Sequence, residues 1–160
     1  MSKFSIEIKW GILFSIVSIV WMIIEFTFGL HDKNINKHGI YSNLFAFVAI
    51  GIYYLAIRNK KIQYYNGIMS WQEGFISGMI ISVIVALLSP LTQYICYTFI
   101  SPNFFKNYIQ FVIENKSMTK ENAELYFNLK NFIISGLSFT LSIGVITSAL
   151  IALILKSKNK

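Results

Sequence analysis

Charge is the scarcest feature of this chain: 13% of its residues are Asp, Glu, Lys or Arg, about half the roughly 25% usual in a soluble domain. With 55% of 160 residues hydrophobic, a soluble fold of this length could not bury so much apolar side chain. Cysteine is nearly absent too. Cys96 is the single one, so no disulfide forms within the chain, and its apolar neighbours make it a packing residue. Catalytic signatures are missing: there is no H-E-x-x-H, nucleophile elbow, phosphate loop or Ser/His/Asp arrangement. No zinc-ligand spacing, RNA-binding signature or basic helical stripe occurs, which excludes the common nucleic-acid readers despite a net charge of +7. The N-terminal apolar stretch is too long for a signal peptide and lacks a small-residue cleavage site, so it reads as a retained span. No lipidation motif accompanies it.

What the chain does have is long apolar runs. A spanning helix needs about 20 such residues, and four segments qualify: residues 10–30, 41–57, 74–100 and 132–155. The expected fold is an all-α membrane protein, a four-transmembrane-helix bundle forming a single integral domain over residues 1–160. Only Glu25 brings a charge into these runs.

The connections add detail. Ser70-Trp71-Gln72-Glu73 is a capping box that should start the third span. Asn66-Gly67 is a turn signal just before it. Ser101-Pro102 reads as an N-cap with proline at the first helical position. A helix over residues 102–115 then places Phe104, Tyr108, Phe111 and Val112 on one face, as expected of a helix lying in the outer membrane interface. Thr119 starts a further helix that is expected to run into the fourth span.

Lysine and arginine set the expected orientation. With the N-terminus inside, Lys3, Lys9, Arg58, Lys60, Lys61, Lys156, Lys158 and Lys160 are cytoplasmic. Lys33, Lys37, Lys106, Lys116, Lys120 and Lys130 are outside, mostly in the long connection, where they weigh less. Both termini are therefore expected in the cytoplasm. Trp10, Tyr53, Tyr54 and Trp71 would mark the inner interface, and Tyr41, Tyr94 and Tyr97 the outer one.

Lipid does not squeeze helices together as water does, so close packing depends on small residues. The first span carries Gly11, Ser15, Ser18 and Gly29 on the face of Glu25. The third carries Gly74, Gly78 and Ser82; the fourth carries Gly136, Gly144 and Ser148, with Thr140 between. These stripes are expected to face one another.

Glu25 lies roughly 7 Å past the middle of its span, at about 1.5 Å per residue. A central charge costs about 2.5–3.5 kcal/mol on the insertion scale, and each Leu, Ile or Phe returns about 0.3–0.6. Insertion therefore survives, but Glu25 should avoid lipid. An intramembrane polar cluster of Glu25, Asn43, Ser89, Gln93 and Thr140, with Thr92 nearby, is the expected arrangement. The carbonyl freed by Pro90 is a further candidate partner. His31, Asp32 and His38 share a polar connection, but their spacing matches no zinc pattern and no metal is expected there.

Several stretches together carry a resemblance: "KWGILFSIVSIVWMIIE", "GIMSWQEGFISG" and "SPNFFKNYIQFVIENKSMTKENAE". In this order they resemble domain of unknown function 4199, a family of small four-span proteins of Bacteroidota. The resemblance implies a bacterial inner-membrane location and supplies no activity, cofactor or catalytic residue. The expected function is that of a non-enzymatic structural or accessory membrane component. The rival is a small proton-coupled transporter using Glu25. The expected partners are the lipid bilayer and a second copy or a larger membrane complex, without nucleic acid or cofactor.

Overall fold

A computed structural model describes residues 3–158, so Lys160 lies outside the described residues. Its helices are α1 (Ser5–Thr27), α2 (Ile35–Asn43), α3 (Phe45–Gln63), α4 (Trp71–Ile95), α5 (Phe104–Glu114), α6 (Lys120–Tyr126) and α7 (Leu129–Leu155). A π-helical turn, Cys96–Ile100, prolongs α4. Four helical segments are long and apolar enough to cross a membrane: Ser5–Thr27, Ile35–Gln63, Trp71–Ile100 and Leu129–Leu155.

Local chemistry explains most boundaries. Ser70 and Glu73 form the expected reciprocal cap of α4, with Glu73 Oε2 accepting from the Ser70 amide at 2.7 Å. Asn66 and Gly67 both have positive φ, as their turn requires. Thr119 caps α6. That helix does not run on into α7, because Asn128 restarts the chain by accepting from the Asn131 amide at 3.0 Å. Ser101 and Pro102 do not begin α5, which starts at Phe104 after Asn103. Instead, the Ser101 amide bonds the Cys96 carbonyl and closes the π-turn. The second span is two helices meeting at Leu44, longer than its apolar run suggests.

Gly29 belongs to a different role from the one its spacing suggests. It has φ +69° just beyond α1. The Leu30 amide bonds the Glu25 carbonyl and the Gly29 amide bonds that of Phe26. This glycine stop turns the chain back over the helix end.

α4 sits at the centre and packs most extensively against α7, then against α1. Glycine and serine alternate across the α4–α7 seam. A Cβ added at Gly78 would lie 2.5 Å from the Ser148 Cβ, and one at Gly144 would lie 2.6 Å from the Ser82 Cβ. Gly74 meets Ala152 one turn further on, Gly136 meets Gln93, and Gly11 of α1 meets Ile84 of α4. The two seam hydroxyls are satisfied within their own helices, Ser82 by the Gly78 carbonyl and Ser148 by that of Gly144. Tyr53 is buried here and its hydroxyl lies 2.8 Å from Ser82 Oγ, so it is a core residue and not an interface marker. Pro90 cannot bond the Ala86 carbonyl, and the Ser89 hydroxyl donates to it instead at 2.9 Å. That carbonyl bonds Ser89, and among the described residues no hydrogen bond joins it to Glu25.

Adding a methyl at Gly78 should destabilise the detergent-solubilised protein by about 1–3 kcal/mol, as overpacking does. Ser148→Gly in the same chain should restore much of the loss. Gly51→Ala, whose Cβ would meet nothing within 4 Å, should be near neutral. Thermal unfolding of the three variants beside the wild type checks all three outcomes.

Candidate functional site

At the bundle end where α1 stops, three ligand-type side chains converge. Glu25 comes from the last turns of α1, His31 from the reversed connection and His38 from α2. One coordinating atom from each lies within 4.8 Å of the others. Glu25 and His31 are buried, at 4% and 1% exposure. His31 Nε2 lies 3.5 Å from Glu25 Oε2. The other carboxylate oxygen accepts from the Trp21 indole at 2.9 Å, which fixes the carboxylate plane. His38 is held by Ser42, whose hydroxyl lies 3.2 Å from its Nδ1. Neither ring nitrogen of His31 has a hydrogen-bond partner among the described residues.

Aromatic rings wall this group. Phe104 stands edge-on to both imidazoles, with centroids 5.1 Å from His31 and 5.0 Å from His38. Phe26 and Tyr108 flank them. Asn107 of α5 donates to the His31 carbonyl at 2.9 Å, so α5 is tied to the connection it covers. The expected apolar face of α5 does form, but Phe104 and Val112 are buried in protein. Phe104 packs on the histidines and on Phe132 of α7, while Tyr108 and Phe111 of the same face stay partly exposed.

The sequence spacing led elsewhere on two points. Asp32 does not join the histidines; its carboxylate turns to the Lys33 amide at the surface. Glu25 takes its place. The polar residues expected around Glu25 lie apart from it, lining a cavity of about 480 Å³ between α1, α3, α4 and α7. Asn43, Ser89, Thr92, Gln93 and Thr140 are all in that lining, and Ser15 and Ser18 join them from α1. Phe14, Phe45 and Phe139 supply apolar wall. Met22, Ser42 and Cys96 line the end nearest the glutamate.

The opposite end of the bundle holds a group that sequence reading missed altogether. α1 begins at Ser5, which brings Glu7 into the helix, where it is 1% exposed. Lys60 Nζ of α3 lies 2.9 Å from Glu7 Oε1, and Ser77 of α4 donates to the same oxygen at 2.9 Å. Lys60 also donates to the Lys3 carbonyl and lies over the Tyr64 ring, 4.0 Å from its centroid. Nearby, Lys61 donates to the Leu155 carbonyl and the Ser157 amide to the Met69 carbonyl. Both ends of the described chain are therefore pinned at one end of the bundle. The available signal was the apolar residues Phe4, Ile6 and Ile8 around Glu7, which continue the helical run towards the N-terminus.

Four helices long and apolar enough to span, two of them packed through a glycine–serine seam, fit a multi-pass helical membrane protein. The model of the family described as protein of unknown function (DUF4199) matches residues 9–157, and the chain belongs to that family. No curated protein and no solved structure matches the chain.

Removing one partner of a buried ion pair strands the other charge, at about 3–5 kcal/mol. Glu7→Gln and Lys60→Met should each destabilise on that scale, while the double variant should recover most of the loss. Unfolding midpoints in detergent, read as a double-mutant cycle, check the coupling.

Proposed function

We propose that this chain is a non-enzymatic accessory component of the bacterial cytoplasmic membrane that holds a small amphiphilic molecule within its bundle. The cavity carries this reading. Its volume, about 480 Å³, falls in the range of roughly 300–1,000 Å³ of small-molecule sites. Its make-up suits the same class of ligand: phenylalanine walls for a hydrocarbon body, and Asn43, Gln93 and Thr140 for a hydrogen-bonding head. The lysine and arginine distribution supports a cytoplasmic placement of both termini, and the packing of both ends at one bundle end agrees with an even number of crossings. A second copy or a larger membrane complex is the expected setting.

A nitroxide-labelled fatty acid in lipid nanodiscs tests the cavity. The wild type should show an immobilised spectral component beyond that of the surrounding bilayer. Ala49→Trp, which fills the cavity from α3, should abolish it while leaving the unfolding midpoint close to wild type. An equal immobilised fraction in both proteins would refute the reading.

Glu25 favours a second reading, a small proton-coupled transporter, because a buried acid inside a membrane bundle is commonly a coupling group and its neighbours Met22 and Ser42 face the cavity. Under that reading Glu25→Gln reduces pH-gradient-driven proton flux in proteoliposomes to the protein-free leak. Under the accessory reading wild type and variant both stay at that leak.

A further inference from the structure

We infer that Glu25, His31 and His38 form a binding site for one divalent transition-metal ion of the zinc class. This goes beyond the cavity reading and does not depend on it.

Three features point to a metal. The first is the donor set. Two imidazoles and one carboxylate suit zinc-class ions, with three protein ligands leaving one position open. The second is geometry. Zinc bonds of about 2.0–2.1 Å in a tetrahedron set neighbouring ligand atoms roughly 3.3 Å apart. His31 Nε2 and Glu25 Oε2 stand 3.5 Å apart, and all three groups fall within 4.8 Å. An inward turn of His38, held among the described residues by a hydrogen bond from Ser42 alone, would bring the third ligand atom to that spacing. The third is His31 itself. A buried imidazole without a well-formed hydrogen bond is costly, and His31, 1% exposed, has among the described residues only the 3.5 Å approach of Nε2 to Glu25 and nothing at Nδ1. A cation ligated by one of those nitrogens removes that atom's share of the cost and compensates the buried carboxylate.

The surroundings fit a ligand set held in place. Trp21 orients the Glu25 carboxylate by its indole hydrogen bond, and Asn107 fixes the His31 backbone. Groups that orient metal ligands typically contribute 10–100-fold to affinity. Phe104 shields both imidazoles from one side. Half-buried His38 and Ser42 leave an approach for the ion.

The test uses the full chain with an affinity tag free of histidine, in detergent and stripped by a chelator. Zn²⁺ is titrated in competition with a chromophoric chelator. Wild type should bind about one Zn²⁺ per chain, unaffected by excess Mg²⁺ or Ca²⁺. Trp21→Phe should keep the stoichiometry and lose about 10–100-fold in affinity. Glu25→Gln, His31→Gln and His38→Gln should each lose more than that.

Cobalt(II) bound to the wild type gives a readout that needs no variant to fold. It should show tetrahedral visible bands without a thiolate charge-transfer band. Absence of stoichiometric Zn²⁺ binding, wild-type affinity in the ligand variants, or a thiolate band placing the ion on Cys96 would each overturn the assignment.

Discussion

Inside hydrocarbon no water is available to satisfy a polar group, and no hydrophobic force presses helix on helix. Close approach between α4 and α7 is what the rest of this bundle rests on. It is possible because each seam serine faces a glycine: Ser148 against Gly78, and Ser82 against Gly144. The reciprocal pattern brings the two backbones within a distance that a single extra methyl would violate. The serine hydroxyls then return to their own helices, so closeness is reached without stranding a donor. Tyr53 joins through Ser82 and couples α3 to the same seam.

Where the seam stops, the polar pattern changes. Along α4 beyond Ser82, Ser89, Thr92 and Gln93 line a cavity. At either end of the bundle a buried acid is matched to a different partner. Glu7 is answered by Lys60, a full cation on a long stem. Glu25 is approached by the His31 imidazole at 3.5 Å, a group that also coordinates metals. The first arrangement closes the electrostatics by itself and leaves the pair a fixed clasp between α1, α3 and α4. The second leaves coordinating capacity unused, so the two ends differ in kind though both bury a carboxylate.

Much of the fold was legible because it rests on composition and short-range chemistry. The four long apolar runs, the Ser70–Glu73 cap and the small-residue stripes of α4 and α7 are properties of consecutive or regularly spaced residues. The site was not legible in the same way. Asn43, Ser89, Gln93 and Thr140 were expected around Glu25 from depth alone; they line the cavity, into which Ser15 and Ser18 of Glu25's own helix face also open. Likewise, sequence proximity linked Asp32 with His31, while the turn at Gly29 aimed the two side chains in different directions. Glu7 went unnoticed because a charge near an apolar run looks like its boundary, although Lys60 lies 53 positions away and neutralises it.

Gly29 explains why the first-span acid acquires a partner at all. A helix that continued past Thr27 would place residue 31 further along the axis, about 9 Å from residue 25 at 1.5 Å per residue. The positive φ at Gly29 instead folds the chain back, with the Leu30 amide bonded to the Glu25 carbonyl. That one hydrogen bond sets the next side chain, His31, beside the Glu25 carboxylate. α5 then holds the reversal from outside through Asn107 and Phe104. The long connection before α7 thus has a definite structural role, because its aromatic face closes over a polar group that α1 alone would leave open.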